Sequence, residues 1–445
     1  MDDLVNGFTG FANRKAGDGP RYAEPTAAER ATRKETKKFN PDTLKLTPGQ
    51  DRRWAWVDVD LEAIKHNVTM LKRHVDRRML LADVSANAFG HGAAEVAKAA
   101  LQAGANYLGV STVDEGIQLR EALVNAPILL LTQPPASAIP LLLAYMIEPS
   151  VCTPEFAIAY GETADEYGVR APYHLVVNTG MNDVGVRWDE AVELLRQIEF
   201  HRALKLKGTY TNLATTRAAE PEGLDMMMQR QRFEECLAQI QAAGMNPGIV
   251  HATDSAGAIR LPDTWYDMVR AGTALYGLHA CNDTFTMIDL VPAMSVKARI
   301  VDAKVPPMGD FVGRGAKHRC TGNSTICTIP IGFADGLPKA LSGNMDVLYA
   351  GQRVAQVGEI SADRCMFECS LRARLHQQRL NPQVGEEVVL VGKQGSVEIT
   401  LDELAQRARV ENYEMATMLG SMRLAHVYTQ SGVARHGVAL GVASR

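Results

Sequence analysis

The sequence contains no unbroken apolar run long enough to cross a bilayer, which takes about 20 residues as a helix. Its most apolar stretch, 126 to 147, is interrupted by Gln133-Pro134-Pro135, Ser137 and Pro140. It reads as a buried strand, turn and helix. Also missing is the pattern of a secretory leader: the chain begins Met1-Asp2-Asp3 with no basic start, apolar run and small-residue cleavage site. A cytoplasmic location is therefore expected. Neither sign of charge is in large excess, with 47 Lys and Arg against 51 Asp and Glu and a formal net charge of −4. Nothing in that balance points to nucleic acid or to a membrane surface.

No pair of cysteines shows the tight C-x-x-C spacing of a zinc ribbon. The seven cysteines, Cys152, Cys236, Cys281, Cys320, Cys327, Cys365 and Cys369, are odd in number and scattered, as suits reduced thiols. The last four are close enough in sequence for a tetrahedral metal site to be considered. They read instead as buried soft packing residues, and no metal is expected.

What the chain has is apolar material, 46% of 445 residues, enough for two domains and a tail. Residues 1–50 mix Gly, Pro, Thr and charge without a sustained apolar period and read as a flexible tail. From Trp54 a pattern repeats: a short β-branched or aromatic run, a break, then an amphipathic helical stretch. The runs are 54–61, 79–85, 107–111, 128–132, 174–178, 206–212, 249–254 and 269–276. Helices are expected between them at 61–75, 93–103, 113–124, 189–198 and 226–243. Such alternation predicts right-handed βαβ units and a parallel sheet, most economically closed as an eight-fold barrel over 51–282, with a doubly wound sheet as the alternative. After Cys281 the texture changes to strand-like runs at 295–301, 325–331, 346–357 and 387–391. A mainly β domain over 283–445 is expected, interrupted by one helix at 401–409. The Met226-Met227-Met228 run lies on an expected helix and reads as packing or a partner contact.

Barrels of this kind place their chemistry where strands end, and there the sequence becomes recognisable. Its motifs include Val59-Asp60-Leu61-Glu62-Ala63-Ile64-Lys65-His66-Asn67, Ala86-Asn87-Ala88-Phe89-Gly90-His91-Gly92 and Asp114-Glu115-Gly116-Ile117-Gln118-Leu119-Arg120-Glu121-Ala122. Further along come Asn178-Thr179-Gly180-Met181, Met268-Val269-Arg270-Ala271-Gly272, Ile329-Pro330-Ile331-Gly332-Phe333-Ala334-Asp335-Gly336 and Asn412-Tyr413-Glu414. In these, from about Trp54 to Tyr428, the chain resembles the alanine racemases. These are pyridoxal-phosphate (PLP) enzymes built as a (β/α)8 barrel followed by a mainly β domain, and the family activity is interconversion of L- and D-alanine.

The resemblance implies definite site residues, and most are replaced. The lysine that holds the cofactor aldehyde as an imine corresponds to Ser85, which cannot form one. The tyrosine that acts as second base, contributed by the partner subunit in the family, corresponds to Arg314, a poor base because it stays protonated. The arginine reaching toward the substrate carboxylate corresponds to Asp183, and Met366 stands at a second substrate position, followed by Phe367 in place of an aspartate. Val176 replaces a lysine, Asn212 a histidine, and Phe89 and Met422 two tyrosines that meet the phosphate. Retained are Arg270, which would face the pyridine nitrogen, and Ser255, Gly272 and Thr273, which would touch the phosphate. Lys317 is a weak substitute for the lost lysine, and His91 reads as structural.

The expectation is a dimeric family member without standard racemase activity that holds PLP non-covalently if at all. Homodimerisation, or pairing with an active paralogue, and binding of a small amino acid follow from the resemblance. The opposite charges of Asp183 and Arg314 suggest an ion pair between subunits. The alternative is a PLP-dependent amino-acid racemase using other residues.

Overall fold

A computed structural model describes residues 53–218, 223–320, 322–370, 380–420, 423–430 and 433–436. The expected tail at 1–50 and the candidate Met422 lie outside the described residues. Ten strands precede the change of texture: β1 (Ala55–Asp60), β2 (Met79–Asp83), β3 (Tyr107–Val110), β4 (Ile128–Leu130), β5 (Ile147–Val151), β6 (Ala171–Asn178), β7 (Val186–Arg187), β8 (Leu204–Tyr210), β9 (Ile249–His251) and β10 (Met268–Ala271). Strands β2, β3, β4, β5, β6, β8, β9 and β10 pair in parallel in that order, and β10 returns to β2. The β10–β2 pairing closes an eight-stranded parallel barrel and removes the doubly wound alternative.

Two details depart from the sequence reading. The run 54–61 is not a barrel strand: β1 pairs antiparallel with Met294–Arg299 and parallel with Ala425–Gln430, inside the sheet of the β domain. Its place in the barrel is taken by β5, whose sequence Ile-Glu-Pro-Ser-Val is short, carries a charge and contains a proline that strands disfavour. The barrel interior accepts those polar groups because they meet partners there. The last barrel run is also shorter than expected, ending at Ala271 before a 3-10 turn over Thr273–Tyr276.

Strand parity decides which side chains face the barrel axis. On β2, Leu80, Ala82 and Val84 are buried in the main core. Met79 and Leu81 point the other way, into a smaller cluster with Tyr107, Leu129 and Met268 inside the barrel. Asp83 follows the inward parity at the C-terminal end of the strand. The surrounding helices start where capping chemistry allows. Asp60 accepts from the backbone of Glu62 and Ala63 to open Leu61–His74, and Thr112 with Glu115 forms a capping box for Val113–Glu121. On Leu224–Ala242, Met226 packs in the core while Met227 and Met228 are exposed.

The β domain is one extended sheet, in spatial order Asp302–Lys304, Ser324–Ile329, Cys365–Ser370, Gln352–Val357, Asp346–Tyr349, Glu387–Gln394, Met294–Arg299, β1, Ala425–Gln430 and Val433–His436. The expected run 346–357 is a hairpin turning at Ala350-Gly351. Two helices, Leu401–Ala408 and Asn412–Leu419, stand where one was expected. Cys320, Cys327, Cys365 and Cys369 are buried among these strands. Among the described residues no helix is long and apolar enough to cross a membrane, and no group of His, Cys, Asp or Glu is arranged to hold a metal ion.

The recurring motifs bind the two halves together. Asn67 bonds to Leu275 O, Val291 O and Val291 N. Asn412 bonds to His279 O and Asp402. Asp335, fully buried, accepts from Gly332 N and pairs with Arg53 through two 2.6 Å contacts. These positions set architecture rather than reactivity.

Candidate ligand site at the barrel mouth

At the C-terminal rim a cleft is lined by Asp83, Phe89, Leu131, Tyr210, Asn212, Arg217, Asp254, Ser255, Arg270, Gly272 and Thr273. Asp83 and Arg270 reach it from neighbouring strands, since Arg270 pairs in register with Leu81 on β2. Parity that buries Val269 and Ala271 in the outer core turns Arg270 inward.

Ser85 follows directly after β2. Its hydroxyl donates to Asp83 Oδ1 at 2.6 Å, and its backbone N–H donates to the same oxygen at 3.1 Å. The chain then makes one left-handed turn: Ala86, Asn87, Ala88 and Phe89 have φ between 48° and 57°, and Gly90 has φ 80°. Each L-residue in that conformation costs roughly 1–2 kcal/mol. Compensation comes from Glu115, which accepts from Ala86 N, and from Asn87, which accepts from Ala93 N. Glycine is required at 90: a Cβ there would lie 2.7 Å from Ala416 O. His91 stacks on Tyr276, with centroids 4.4 Å apart. Burial pushes its pKa down to about 4, consistent with a structural role.

Arg270 is buried and held by neutral acceptors. It donates to Thr211 O, Asn212 Oδ1 and Ala252 O at 2.7–3.1 Å, and to His251 Nδ1 at 2.8 Å. Its guanidinium lies over the Tyr210 ring at 5.1 Å. Because arginine only donates, His251 Nδ1 must be the acceptor, so Nε2 carries the proton and donates to His174 Nδ1 at 3.0 Å. His174 Nε2 then faces Glu148 at 3.3 Å. Burial, with the Arg270 charge and His174 adding to it, holds His251 well below the ordinary histidine range. This directed chain fixes the arginine through the barrel interior.

On the far side of the cleft, Ser255 Oγ accepts from Gly272 N at 2.9 Å and Ala274 N at 3.2 Å. The Thr273 hydroxyl is buried without a partner. Asp254 caps the helix Ser255–Arg260 and lies 3.8 Å from Arg217, whose guanidinium stands over the Tyr413 ring.

The structure thus brings together Ser85, Phe89, Asn212, Ser255, Arg270, Gly272 and Thr273. Asp183, Arg314 and Met366 do not line the cleft within one protomer. Asp183 is exposed and accepts from Val184 N. Arg314 is exposed on a short 3-10 turn. The Met366 methyl packs against Gly313 and Gly358, and Lys317 pairs with Glu359 at 2.7 Å. Sequence reasoning set Arg270 against a pyridine nitrogen; within the chain it is tied to neutral groups. It missed Asp83, although the two-residue period of 79–85 already turns that carboxylate inward. Arg217, His174 and Glu148 were missed too, and no motif marked them.

The residues present fit the outer parts of a PLP molecule and not its covalent attachment. Two buried hydroxyls and the backbone around Gly272 suit a phosphate, and Arg270 suits the ring nitrogen. Among the described residues no lysine lines the cleft.

Comparison with known proteins agrees with the fold and the motifs. The family description "Alanine racemase, N-terminal domain" matches residues 59–280, and "Alanine racemase, C-terminal domain" matches 293–428. The chain is similar to the alanine racemase of a Nostoc species, 39% identical over 81% of this chain and 92% of that protein. Among solved structures it resembles alanine racemase from Bacillus anthracis with bound L-Ala-P, at 31% identity and TM-score 0.79, covering 86% of this chain and 96% of that one. It also resembles a histidine racemase from Leuconostoc mesenteroides, at 27% identity and TM-score 0.76, covering 85% and 99%. With barrel, β domain and architectural motifs all matched, the chain belongs to the alanine racemase family.

Proposed function

We propose that this chain is a family member without standard racemase activity, acting as a binding, scaffold or regulatory subunit of a dimer. The observation that carries the reading is Ser85, hydrogen-bonded to Asp83 at the end of β2, beside a cleft that no lysine among the described residues lines. PLP, when bound and covalently attached, supplies the electron sink that racemisation needs. The chain's own residues meet only part of that requirement. Ser255, Gly272 and Thr273 would hold a phosphate, and Arg270, fixed by its histidine chain, would orient the ring. Ser85 has no histidine beside it to activate its hydroxyl, and its proton is given to Asp83 Oδ1. Arg314 brings no base to a partner's site.

A dimer follows from the family, and Asp183 with Arg314 would pair across it. In a heterodimer with an active paralogue this chain would donate Arg314 where a tyrosine is needed and so lower that subunit's rate.

The test is to add PLP to the purified protein, remove the excess, treat with borohydride and search for a pyridoxyl-lysine by mass spectrometry, while assaying D-alanine formation from L-alanine. Neither product is expected. A fixed pyridoxyl-lysine accompanied by D-alanine would return the chain to the PLP-dependent racemases.

A further inference from the structure

Asp83 is a carboxyl group at the cleft wall with no ion-pair partner among the described residues, and Arg270 acts on it only at a distance. Oδ1 takes both hydrogen bonds from Ser85, while Oδ2 takes none from the described residues and stands 3.7 Å from where a Gly272 Cβ would lie. No ion pair joins Asp83 to a described residue. A second carboxylate, Glu115, bonds to Ala86 N on the other side of Ser85. The place from which a lysine would emerge is therefore acidic, and an enclosed carboxylate without a cation is costly.

The neighbouring part of the cleft, around Gly272, has the reverse requirement. Ser255 Oγ already accepts two backbone N–H groups, so its own proton remains to be donated, and no described acceptor takes it. The Thr273 hydroxyl is likewise without a partner. The two residues are 2% and 3% exposed. Two donors at that depth, with Arg270 on the same cleft and Arg217 beside Asp254, suit an anion. The wall also includes Phe89, Leu131 and Tyr210, a lining for a flat ring.

We propose that this cleft binds, without a covalent bond, the amine form of the phosphorylated pyridine, pyridoxamine 5′-phosphate, in preference to the aldehyde. Asp83 faces the ligand's ammonium, and Ser255, Gly272 and Thr273 face its phosphate. The proposal rests on the reading of the site as silenced. The cation that the family places on the protein is supplied here by the ligand. An aldehyde would set its carbonyl oxygen against the Asp83 carboxylate and gain no bond from Ser85.

The experiment is calorimetric titration of the full chain with pyridoxamine 5′-phosphate, pyridoxal 5′-phosphate and inorganic phosphate at neutral pH, followed by borohydride treatment of the aldehyde sample. Wild-type protein is expected to bind the amine about ten-fold more tightly than the aldehyde. Asp83→Asn, nearly isosteric, should remove that preference, and Ser255→Ala with Thr273→Val should weaken both ligands. Equal affinity of wild-type protein for amine and aldehyde, phosphate alone binding as tightly as the amine, or no binding of the amine would each overturn the proposal while leaving the silenced-site reading intact. These outcomes need no variant. A lysine-linked pyridoxyl group after borohydride would instead overturn the silenced-site reading.

Discussion

The two sides of the barrel mouth have changed differently. On the side of β9 and β10, Arg270, Ser255, Gly272 and Thr273 keep the arrangement the family resemblance implies, and the arginine is backed by a chain of histidines running to Glu148. On the side of β2, the backbone is kept down to a costly left-handed turn, while the side chains it presents are Ser85 and Asp83. One side carries groups suited to an anion and a ring nitrogen; the other carries a hydroxyl and a carboxylate on a clamped turn.

The sharpest way to break that contrast is to restore the lost groups. Ser85→Lys should allow a borohydride-fixed pyridoxyl-lysine to form, with little turnover. Adding Arg314→Tyr should raise D-alanine formation by about 10² to 10⁴-fold over Ser85→Lys alone, the usual worth of a positioned base. If the double variant is no faster than the single one, more than the side chains at the rim has been lost.

The retained side can be tested through stability. Arg270→Met keeps volume but leaves Thr211 O, Asn212 Oδ1, Ala252 O and His251 Nδ1 without their donor. A loss of about 3 kcal/mol or more in urea unfolding is expected. A loss under about 1 kcal/mol would mean that the interior chain does not depend on its arginine.

Acid should act on the buried histidines and on Asp83 with opposite sign. His251 and His91 have pKa values lowered by burial, so the stability they contribute is fully present above about pH 6.5 and is lost as pH falls through their folded values. For His91, at about 4, this amounts to about 3 kcal/mol. Asp83 is raised, mainly by burial, so its ionisation weakens the folded state as pH rises through its folded value. Asp83→Asn should therefore be more stable than wild type at neutral pH, with the gap closing on acidification. Unfolding midpoints measured across that range would give both slopes, and a gap that widens in acid would contradict the assignment.

A smaller effect is expected on the shape-preserving side. Gly90→Ala places a Cβ 2.7 Å from Ala416 O at a φ of 80°. It should cost about 1–3 kcal/mol, read as a fall in Tm. An unchanged Tm would mean that the turn is not clamped by the helix Asn412–Leu419.

Most of the barrel was legible because its strands and helices alternate with clear period, and the change of texture after Cys281 announced the β domain, with which the family motifs agree. β5 was not legible, since Glu148, Pro149 and Ser150 belong to an interior whose polar partners are distant in sequence. β1 was misassigned for the opposite reason: its local pattern is an ideal strand, and only long-range pairing with 294–299 and 425–430 says which sheet it joins. In the site, the losses at Ser85 and Phe89 could be read by alignment. Asp83 fell between motifs, and Arg270's partners come from the ends of two other strands, β8 and β9, which no linear pattern brings together.

The turn from Ala86 to Gly90 carries a last consequence. Gly90 and Gly420 pass so closely that a Cβ on Gly420 would lie 2.0 Å from Gly90 O, and His426 bonds to the same carbonyl at 2.7 Å. The backbone beneath the reactive position is thus clamped by the neighbouring domain rather than by the ligand or by the side chain at 85. Such a platform is indifferent to what it displays. A single substitution at position 85 can therefore change what the rim offers a ligand while the backbone beneath it stays held by Gly420 and His426.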